Sequence, residues 1–265
     1  MYETGTDKLL LDVDGGIAVV TFNNPSKRNA LSAEIRLALP GLLQAVGEDP
    51  QVRVVVLTGA GSEAFVSGAD ISEFESQRTS PEARAAYDQS GAETARAWGA
   101  LEKPIIAMIR GFCIGGGLLT ALQADIRIAS EDSQFGVPAA RLGLGYGFGG
   151  VEALVGLVGP AWAAEILFSA RRLTSDEALR IGLVNRVVPV DALSQTVMDL
   201  ARTITRNAPL TIAACKAALR EVARPPADRD LGRVREMVEA CFRSEDYREG
   251  QRAFAEKRAP RFYGR

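Results

Sequence analysis

The feature that most constrains the fold is the run VRVVVLTG at residues 52–59, which is apolar at nearly every position and ends in glycine. Such a run is typical of a strand that is buried on both faces of a parallel sheet. Parallel neighbours need crossover connections, which are usually helices. The run therefore predicts an α/β domain with strands inside and helices outside.

The flanking sequence repeats this alternation. Two β-rich runs, 8–13 and 16–22, meet at Asp14-Gly15-Gly16, which is a hairpin signal. Ser32 marks the start of a helix whose apolar positions are Ile35, Leu39, Leu42, Leu43 and Val46. The pattern then predicts a helix over 81–101, a buried strand over 104–109, a helix over 116–123 and a strand over 125–129. The recurrence indicates a spiral of similar units.

Helices dominate the chain beyond about residue 150. Thr174 and Glu177 form a capping box. The predicted helices are 160–169, 174–181, 191–206, 209–222, 229–243 and 246–257, with one strand at 183–188. A chain of 265 residues suffices for a core domain with a smaller appendage. We divide it into an α/β core over 1–200 and a helical region over 201–265.

Composition excludes several classes of function. The chain has no histidine, which excludes a Ser-His-Asp triad, a Cys-His pair and histidine metal ligands. Its 31 basic and 33 acidic residues give a net charge of −2, so we expect no nucleic-acid partner. The three cysteines are too few and too widely spaced for a zinc knuckle or a disulfide framework, and we expect no metal site. Apolar stretches are interrupted short of the ~20 residues that span a bilayer. With no N-terminal signal visible, we expect a soluble cytoplasmic protein without a membrane partner.

Two glycine-containing segments are candidate sites. In AFVSGADISEF (64–74) small residues lead to a helix start near Asp70, and in IRGFCIGGGLLTAL (109–122) three glycines open a helix. Free amides at a helix N-terminus attract negative charge, and glycine allows close approach to the backbone. Each segment alone also fits a tight strand-to-helix turn, but two that converge would form an oxyanion hole from backbone alone. A third segment, 145–150, matches G-x-G-x-x-G, but no strand is predicted before it, so we reject a dinucleotide site.

Six ordered motifs give the chain a resemblance to a known family. They are NNPSKRNALS (23–32), SGADI (67–71), KPIIAMIRGFCIGGG (103–117), ADIRIAS with FGVPAARLGL (124–144), GLVNRVVP (182–189) and EGQRAFAEKRAPRF (249–262). In these motifs the chain resembles the crotonase, or enoyl-CoA hydratase/isomerase, superfamily. The resemblance implies a spiral of ββα units and a C-terminal helical region that builds homotrimers or dimers of trimers. It also implies acyl-CoA thioester substrates, with CoA as part of the substrate and no separate cofactor.

The resemblance also assigns site residues. It places an oxyanion hole for a thioester enolate on the N–H groups of Ala69 and Gly116. Lys27 and Arg28 lie where similar proteins approach the adenosine phosphates, although each charge also fits a solvated surface residue. Phe254 and Lys257 would complete the site from a neighbouring subunit. The other residues expected to bind CoA are Ala30, Ser67, Gly68, Asp70 and Ile71.

The sequence departs from the family at two positions. Where hydratases of this family hold two glutamates that activate water, this chain has Leu119 and Ala139. Because general acid–base catalysis contributes roughly 10² to 10⁴ in rate, we expect strict hydration to be impaired. Tyr146 lies near the place of a tyrosine in a decarboxylating relative, though it also fits packing at a glycine-rich turn. Arg141, like Tyr146, flanks the segment that should line the acyl pocket. Weaker candidates for the missing groups are Asp70, Glu73, Asp88, Glu93 and Glu152.

Three hypotheses remain open. The first is a hydratase or isomerase acting on an enoyl-CoA. The second keeps the oxyanion hole but carries out decarboxylation or double-bond isomerisation, which needs at most one acid. The third is a non-catalytic oligomer that binds acyl-CoA.

Overall fold

Strands from successive parts of the chain assemble into two sheets. The computed structural model describes residues 4–73 and 80–265. Its strands are β1 (Leu9–Asp14), β2 (Ile17–Phe22), β3 (Val54–Gly59), β4 (Ala64–Val66), β5 (Ile105–Ile109), β6 (Phe112–Ile114), β7 (Ile126–Ser130), β8 (Gln134–Gly136), β9 (Leu173–Thr174) and β10 (Arg186–Val188). The larger sheet has the order β1-β2-β3-β5-β7-β10, and the smaller has the order β4-β6-β8-β9.

The topology is a spiral. β1 and β2 form the predicted antiparallel hairpin, while β2, β3, β5, β7 and β10 pair in parallel. Each of the pairs β3–β4, β5–β6 and β7–β8 gives one strand to the larger sheet and the next to the smaller one. The predicted α/β spiral of ββα units is therefore confirmed. The smaller sheet was not predicted, because strands of two or three residues are too short to show a period.

Helices surround the sheets. They are α1 (Ala33–Glu48), α2 (Pro81–Ala100), α3 (Gly116–Leu122), α4 (Phe148–Ser169), α5 (Ser175–Arg180), α6 (Leu193–Thr205), α7 (Pro209–Ala223), α8 (Leu231–Arg243) and α9 (Glu245–Ala255). Short 3₁₀ helices lie at Pro25–Lys27, Ile71–Glu73, Pro138–Leu142, Val190–Ala192 and Pro226–Asp228. The predicted helices beyond residue 150 are all present, and apart from 160–169 their ends are shifted by up to two residues.

α1 shows how the sequence dictates a local structure. The Ser32 hydroxyl caps the helix by accepting a hydrogen bond from the Ile35 amide. The buried residues of α1 are the five apolar positions of the predicted stripe, Ile35, Leu39, Leu42, Leu43 and Val46. They pack into the main core between the sheets and helices, while α6 covers a second, smaller core on the outer face of the larger sheet.

α4 is longer than the predicted helix over 160–169. Its 22 residues have a mean hydropathy of 1.6 over an 18-residue window, so by length and composition alone it is sufficient to cross a membrane. This differs from the expectation that no apolar stretch comes near that length. The helix is broken at Gly159 and Pro160, and it packs Leu154, Val158 and Ile166 into the main core. Only 22% of that window is buried within the chain, so most of the helix surface is exposed.

α7 ties the C-terminal helices to the sheet. The buried Lys216 ammonium donates to the Asp125 carboxylate at 2.8 Å and to the Lys103 carbonyl at 2.7 Å. Burial lowers the pKa of Lys216, which the charge of Asp125 partly opposes. Asp125 also accepts from the Ile105 amide at 2.7 Å. The pair therefore fixes α7 against the start of β5.

Candidate active site

Two glycine-containing turns lie at the same edge of the smaller sheet. β4 and β6 are parallel neighbours, so their carboxyl ends meet there. Gly68 and Gly115, which follow these strands, have φ values of +115° and +55°, conformations that favour glycine. A side chain at Gly117 would collide with the Val66 carbonyl. The glycines therefore let α3 begin directly against the end of β4.

The amides of Ala69 and Gly116 lie beside each other across this gap. A Cβ built on Gly116 would be 3.5 Å from the Ala69 nitrogen, and one built on Gly68 would be 3.9 Å from the Gly116 nitrogen. Leu31 forms a bridge around Ala69: its amide donates to Gly68 and its carbonyl accepts from Asp70. Within residues 4–73 and 80–265, neither the Ala69 nor the Gly116 N–H donates to another protein group. The structure thus brings together the two predicted donors and leaves both open.

Asn29 holds the loop that faces these amides, a role that the sequence analysis missed. Its side-chain amide is fully buried and donates to the carbonyls of Ala60 at 2.9 Å and Ala64 at 2.7 Å, while its oxygen accepts from the Asn24 amide. Arg28 and Asn29 both have left-handed backbone conformations, with φ of 52° and 57°. The available signal was the residue type, since asparagine tolerates this conformation better than most residues.

Lys27 and Asp70 form an ion pair at the start of the second turn. The Lys27 ammonium donates to the Asp70 carboxylate at 2.7 Å and to the Ser72 hydroxyl at 2.8 Å. Burial favours a higher pKa for Asp70, but the hydrogen bonds from Lys27 and Ser72 outweigh burial and hold the pKa below its usual value. Asp70 therefore stays ionised and structural, and Lys27 keeps half of its side chain exposed.

The helix predicted to begin near Asp70 is a 3₁₀ helix, Ile71–Glu73, and Phe74 lies outside the described residues. The Glu73 carboxylate accepts a hydrogen bond from the Ala33 amide at the start of α1. Ile71 is exposed. Glu73 thus supports α1 and is unsuited to replace a catalytic glutamate.

The remaining predicted CoA-binding residues differ in what they offer a ligand. Ser67 is fixed to the loop, since its hydroxyl donates to the Lys27 carbonyl and its amide to the Arg28 carbonyl. Ala30 is buried, so only its backbone is available. Arg28 is exposed, donates to Glu63 at 3.0 Å and lies over the Phe112 ring at 5.3 Å from its centroid.

An apolar wall lies one helical turn from Gly116. A Cβ at Gly150 would be 2.9 Å from both the Leu119 side chain and the Tyr146 ring, so these two side chains converge on Gly150. Ala139 and Tyr146 both pack against the main core. Burial raises the pKa of the Tyr146 phenol, so the phenol holds its proton at physiological pH more firmly than an exposed tyrosine does.

Phe254 and Lys257 lie at the end of α9 and just beyond it. Phe254 is 88% exposed. Neither side chain makes a hydrogen bond, ion pair or ring contact with another residue in the part of the chain that the structure describes. Within one chain they are therefore not joined to Lys27 and Arg28.

The other candidates for the missing groups make no described contact with the amides of Ala69 and Gly116. Asp88, Arg141 and Glu152 are exposed, and Glu93 accepts from Gln89. A cavity of about 750 Å³ lies elsewhere, between α1, the end of α2 and the start of α7. None of the residues predicted to bind acyl-CoA lines it.

Comparison with known proteins gives one consistent result. A model of the enoyl-CoA hydratase/isomerase family matches residues 12–265. The chain is 39% identical to a short-chain-enoyl-CoA hydratase of Clostridium acetobutylicum, covering 95% of this chain and 96% of that protein. It is 37% identical to a crotonyl-CoA hydratase of Syntrophomonas wolfei, covering 97% and 98%. A crystal structure of an enoyl-CoA hydratase/carnithine racemase from Magnetospirillum magneticum superimposes with a TM-score of 0.91 at 35% identity, covering 98% of this chain and 97% of that one. The chain therefore belongs to the enoyl-CoA hydratase/isomerase family.

Proposed function

We propose that the amides of Ala69 and Gly116 form an oxyanion hole that stabilises the enolate oxygen of an acyl-CoA thioester. The observation that carries the proposal is that these two adjacent N–H groups have no acceptor in the described chain. A thioester enolate concentrates charge on one oxygen, and each preorganised donor typically contributes about 3 to 4 kcal/mol to transition-state stabilisation. No ionisable side chain is required for this step.

The reaction that fits best uses the enolate without a carboxylate to activate water. Leu119 and Ala139 occupy the positions that the family resemblance gives to the hydratase glutamates, and the nearby Asp70 and Glu73 already accept hydrogen bonds. In a malonyl-type thioester, cleavage of the bond to the carboxylate releases CO₂ and leaves its electron pair in the enolate. A β,γ-enoyl thioester reaches a conjugated enolate after its α-proton passes to solvent water. Both intermediates place the negative charge on the thioester oxygen.

Tyr146 is the proton donor in this proposal. Its phenol carries a proton at physiological pH, as an ordinary tyrosine does, although burial raises its pKa and makes it a weaker acid. Its hydroxyl makes no hydrogen bond to another residue among those described. Transfer of the phenolic proton to the enolate α-carbon after decarboxylation would give the saturated acyl-CoA, and water would then reprotonate the phenolate. CoA arrives as part of the substrate, and no other cofactor takes part.

The test is a panel of CoA thioesters with product analysis by mass spectrometry. We expect turnover of a malonyl-type or β,γ-enoyl thioester, with slow hydration of crotonyl-CoA. Tyr146→Phe should lower decarboxylation by about 10², near the lower limit for loss of a general acid. Binding of the thioesters without turnover and without α-proton exchange in deuterated water would instead identify a non-catalytic acyl-CoA-binding protein.

Hydration is a second candidate because two similar proteins are named as hydratases. The same panel decides between the two reactions. Rapid hydration of crotonyl-CoA by the unmodified chain would show that groups other than residues 119 and 139 activate the water, and would overturn the decarboxylase or isomerase proposal.

We also propose that the chain acts as a homotrimer or a dimer of trimers in the cytoplasm. Large apolar side chains are exposed on α4 and on the C-terminal helices, which a second copy would cover. They include Phe148, Phe168, Leu219, Val222, Phe242 and Phe254. Light scattering after gel filtration tests the assembly, and a monodisperse monomer would contradict it.

A further inference from the structure

The cavity of about 750 Å³ lies at the opposite end of two central strands from the amide pair. Arg53 and Lys103 line it and come shortly before β3 and β5, so these parallel strands begin beside it. Ala69 and Gly116 follow β4 and β6, which come after the carboxyl ends of the same two strands. A ligand in this cavity would therefore be separate from one at the amides.

The size and the lining of the cavity suit a small organic molecule. Pockets that bind such molecules typically have volumes of about 300 to 1,000 Å³ and mostly apolar walls. Apolar side chains from α1, from the end of α2 and from the start of α7 supply much of this wall. They are Leu43, Val52, Ala97, Leu101, Leu210 and Ala213. The wall would stabilise the apolar body of a ligand by removing it from water.

The charged residues of the lining differ in how far their hydrogen-bonding groups are used. Three are acidic and three are basic, so net charge alone selects no ligand. Each carboxylate already accepts a hydrogen bond: Glu48 from Gln44, Glu93 from Gln89 and Glu102 from Arg233. The Lys103 ammonium donates to the carbonyls of Val46 and Asp49 at the end of α1. The unused capacity therefore lies with the two arginines.

Arg53 and Arg96 both have guanidinium donors without an acceptor. Arg53 donates through Nη2 to the Phe262 carbonyl at 2.8 Å, while its Nη1 is buried and has no partner among the described residues. Arg96 is exposed and makes no hydrogen bond or ion pair with the part of the chain that the structure describes. A buried donor without an acceptor costs free energy, which a ligand oxygen would recover. The planar guanidinium matches a carboxylate through paired hydrogen bonds.

We propose that this cavity is a second binding site, which takes an organic carboxylate with an apolar body. The apolar body lies against the wall formed by α1, α2 and α7, and the carboxylate accepts hydrogen bonds from Arg53 and Arg96. The site is distinct from the amide pair, so its occupation does not depend on the reaction proposed there.

Calorimetric titration of the full-length protein with octanoate and with 1-octanol tests this proposal. The two probes share an alkyl chain, and only octanoate carries a carboxylate. Octanoate should bind about tenfold more tightly than 1-octanol, as expected for charge-assisted hydrogen bonds. Arg53→Gln should weaken octanoate binding about tenfold, and Arg96→Gln, at an exposed position, about threefold. Neither variant should change the binding of 1-octanol.

Two further variants locate the site and control for charge. Ala213→Leu places a larger side chain within the cavity lining and should abolish the binding of both probes. Arg202→Gln removes an exposed arginine of α6 that is paired with Asp199 and does not line the cavity. This control should bind both probes as the unmodified chain does, and circular dichroism confirms that each variant is folded. If Arg53→Gln does not fold, Arg96→Gln carries the test.

Several results would overturn the proposal. They are the absence of octanoate binding to the unmodified chain, equal octanoate affinity in Arg96→Gln and the unmodified chain, and unchanged binding in Ala213→Leu. Displacement of octanoate by saturating octanoyl-CoA would place the probe at the amide pair and also contradict a second site. Failure of the unmodified chain to bind octanoyl-CoA would instead count against the proposed function and leave this inference standing.

Discussion

The candidate active site and the C-terminal tail differ in whether their backbone amides have a hydrogen-bond acceptor within the chain. In the tail, the Asp246 carboxylate of α9 accepts from the amides of Tyr263 at 2.7 Å and Gly264 at 2.8 Å. Glu249, one turn further along α9, accepts from the Arg261 amide at 3.0 Å. At the site, the amides of Ala69 and Gly116 lie side by side and donate to no described protein group.

The difference lies in where the chain supplies an acceptor. Backbone N–H groups that are withdrawn from water need a partner, and the two buried carboxylates of α9 provide one for the tail. Ala69 and Gly116 are half-buried, so water or a ligand can reach their amides. The tail uses its amides to fold, whereas the site keeps two amides available for an incoming oxygen.

The largest expected effect comes from obstructing the amide pair. Gly116→Ala keeps the N–H but places a methyl group 3.5 Å from the Ala69 nitrogen and 3.4 Å from Leu31. An oxyanion between the amides would then be displaced, and we expect kcat to fall by roughly 10² to 10³, the typical cost of losing one oxyanion-hole donor. Steady-state kinetics on the thioester that the panel identifies measures this.

Gly149→Ala is the matched control. Gly149 lies in the first turn of α4, and a Cβ there meets no atom within 4 Å. This variant should retain the kcat of the unmodified chain. Equal activity of the two alanine variants would contradict the placement of an oxyanion beside the Gly116 amide.

The next largest effect is expected from introducing the two carboxylates that the site lacks. The double variant Leu119→Glu with Ala139→Glu should raise the rate of crotonyl-CoA hydration by about 10², near the lower limit for general acid–base catalysis. The double glutamine variant has nearly the same size and no ionisable group, so it separates the carboxylate effect from altered packing around Gly150. A gain that is the same in both would contradict the proposed role of residues 119 and 139.

Much of this fold was predictable because its larger elements carry clear periodicity. The apolar run over 52–59 contains β3, and the Ser32 cap with its apolar stripe gave α1. The smaller sheet was not predictable from periodicity, since β4, β6 and β8 have three residues each. α4 is broken at Gly159, which has φ of 74°. Because glycine and proline interrupt the helical pattern there, the predicted helix begins after the break and is about a dozen residues too short.

The candidate site was predictable in part. The glycines of the two turns and the family resemblance indicated Ala69 and Gly116 before their proximity was known. Asn29 was missed because its role depends on contacts with residues distant in sequence, such as Ala64. A single sequence contains no signal for side-chain contacts between residues that are distant in the chain. A glycine turn, by contrast, is visible in a few consecutive residues.

A smaller effect is expected from removing one carboxylate acceptor of the tail amides. Asp246→Asn replaces one carboxylate oxygen with an NH₂ group that faces the amide of either Tyr263 or Gly264. We expect the free energy of unfolding to fall by about 2 kcal/mol, the cost of a lost hydrogen bond to a charged group. Glu245→Gln is the control on the same helix: its ion pair with Arg265 is exposed, so urea unfolding should show a loss below about 0.5 kcal/mol. Equal losses would mean that the tail amides do not depend on the buried carboxylate.

The smallest expected effect is the pH dependence of the tail. Hydrogen bonds from Arg258, from Arg252 and from the Arg261 amide lower the pKa of Glu249, with burial opposing them. A lowered folded-state pKa stabilises the protein above the ordinary glutamate pKa of about 4.3, and this stability is lost as the pH falls through the folded-state pKa. Because the arginine partners are 66% and 37% exposed, solvent screening keeps the contribution modest.

Urea unfolding between pH 6 and pH 3 should therefore show a shallower loss of stability for Glu249→Gln than for the unmodified chain. The slope should decrease without vanishing, because Asp70 at the candidate active site also has a lowered pKa and loses its stabilising contribution over the same acidic range. Glu245→Gln should retain the steeper slope. If Glu249→Gln retained the steeper slope as well, the carboxylate of Glu249 would not be a source of tail stability. The contrast between hydrogen-bonded tail amides and open site amides would then rest on Asp246 alone.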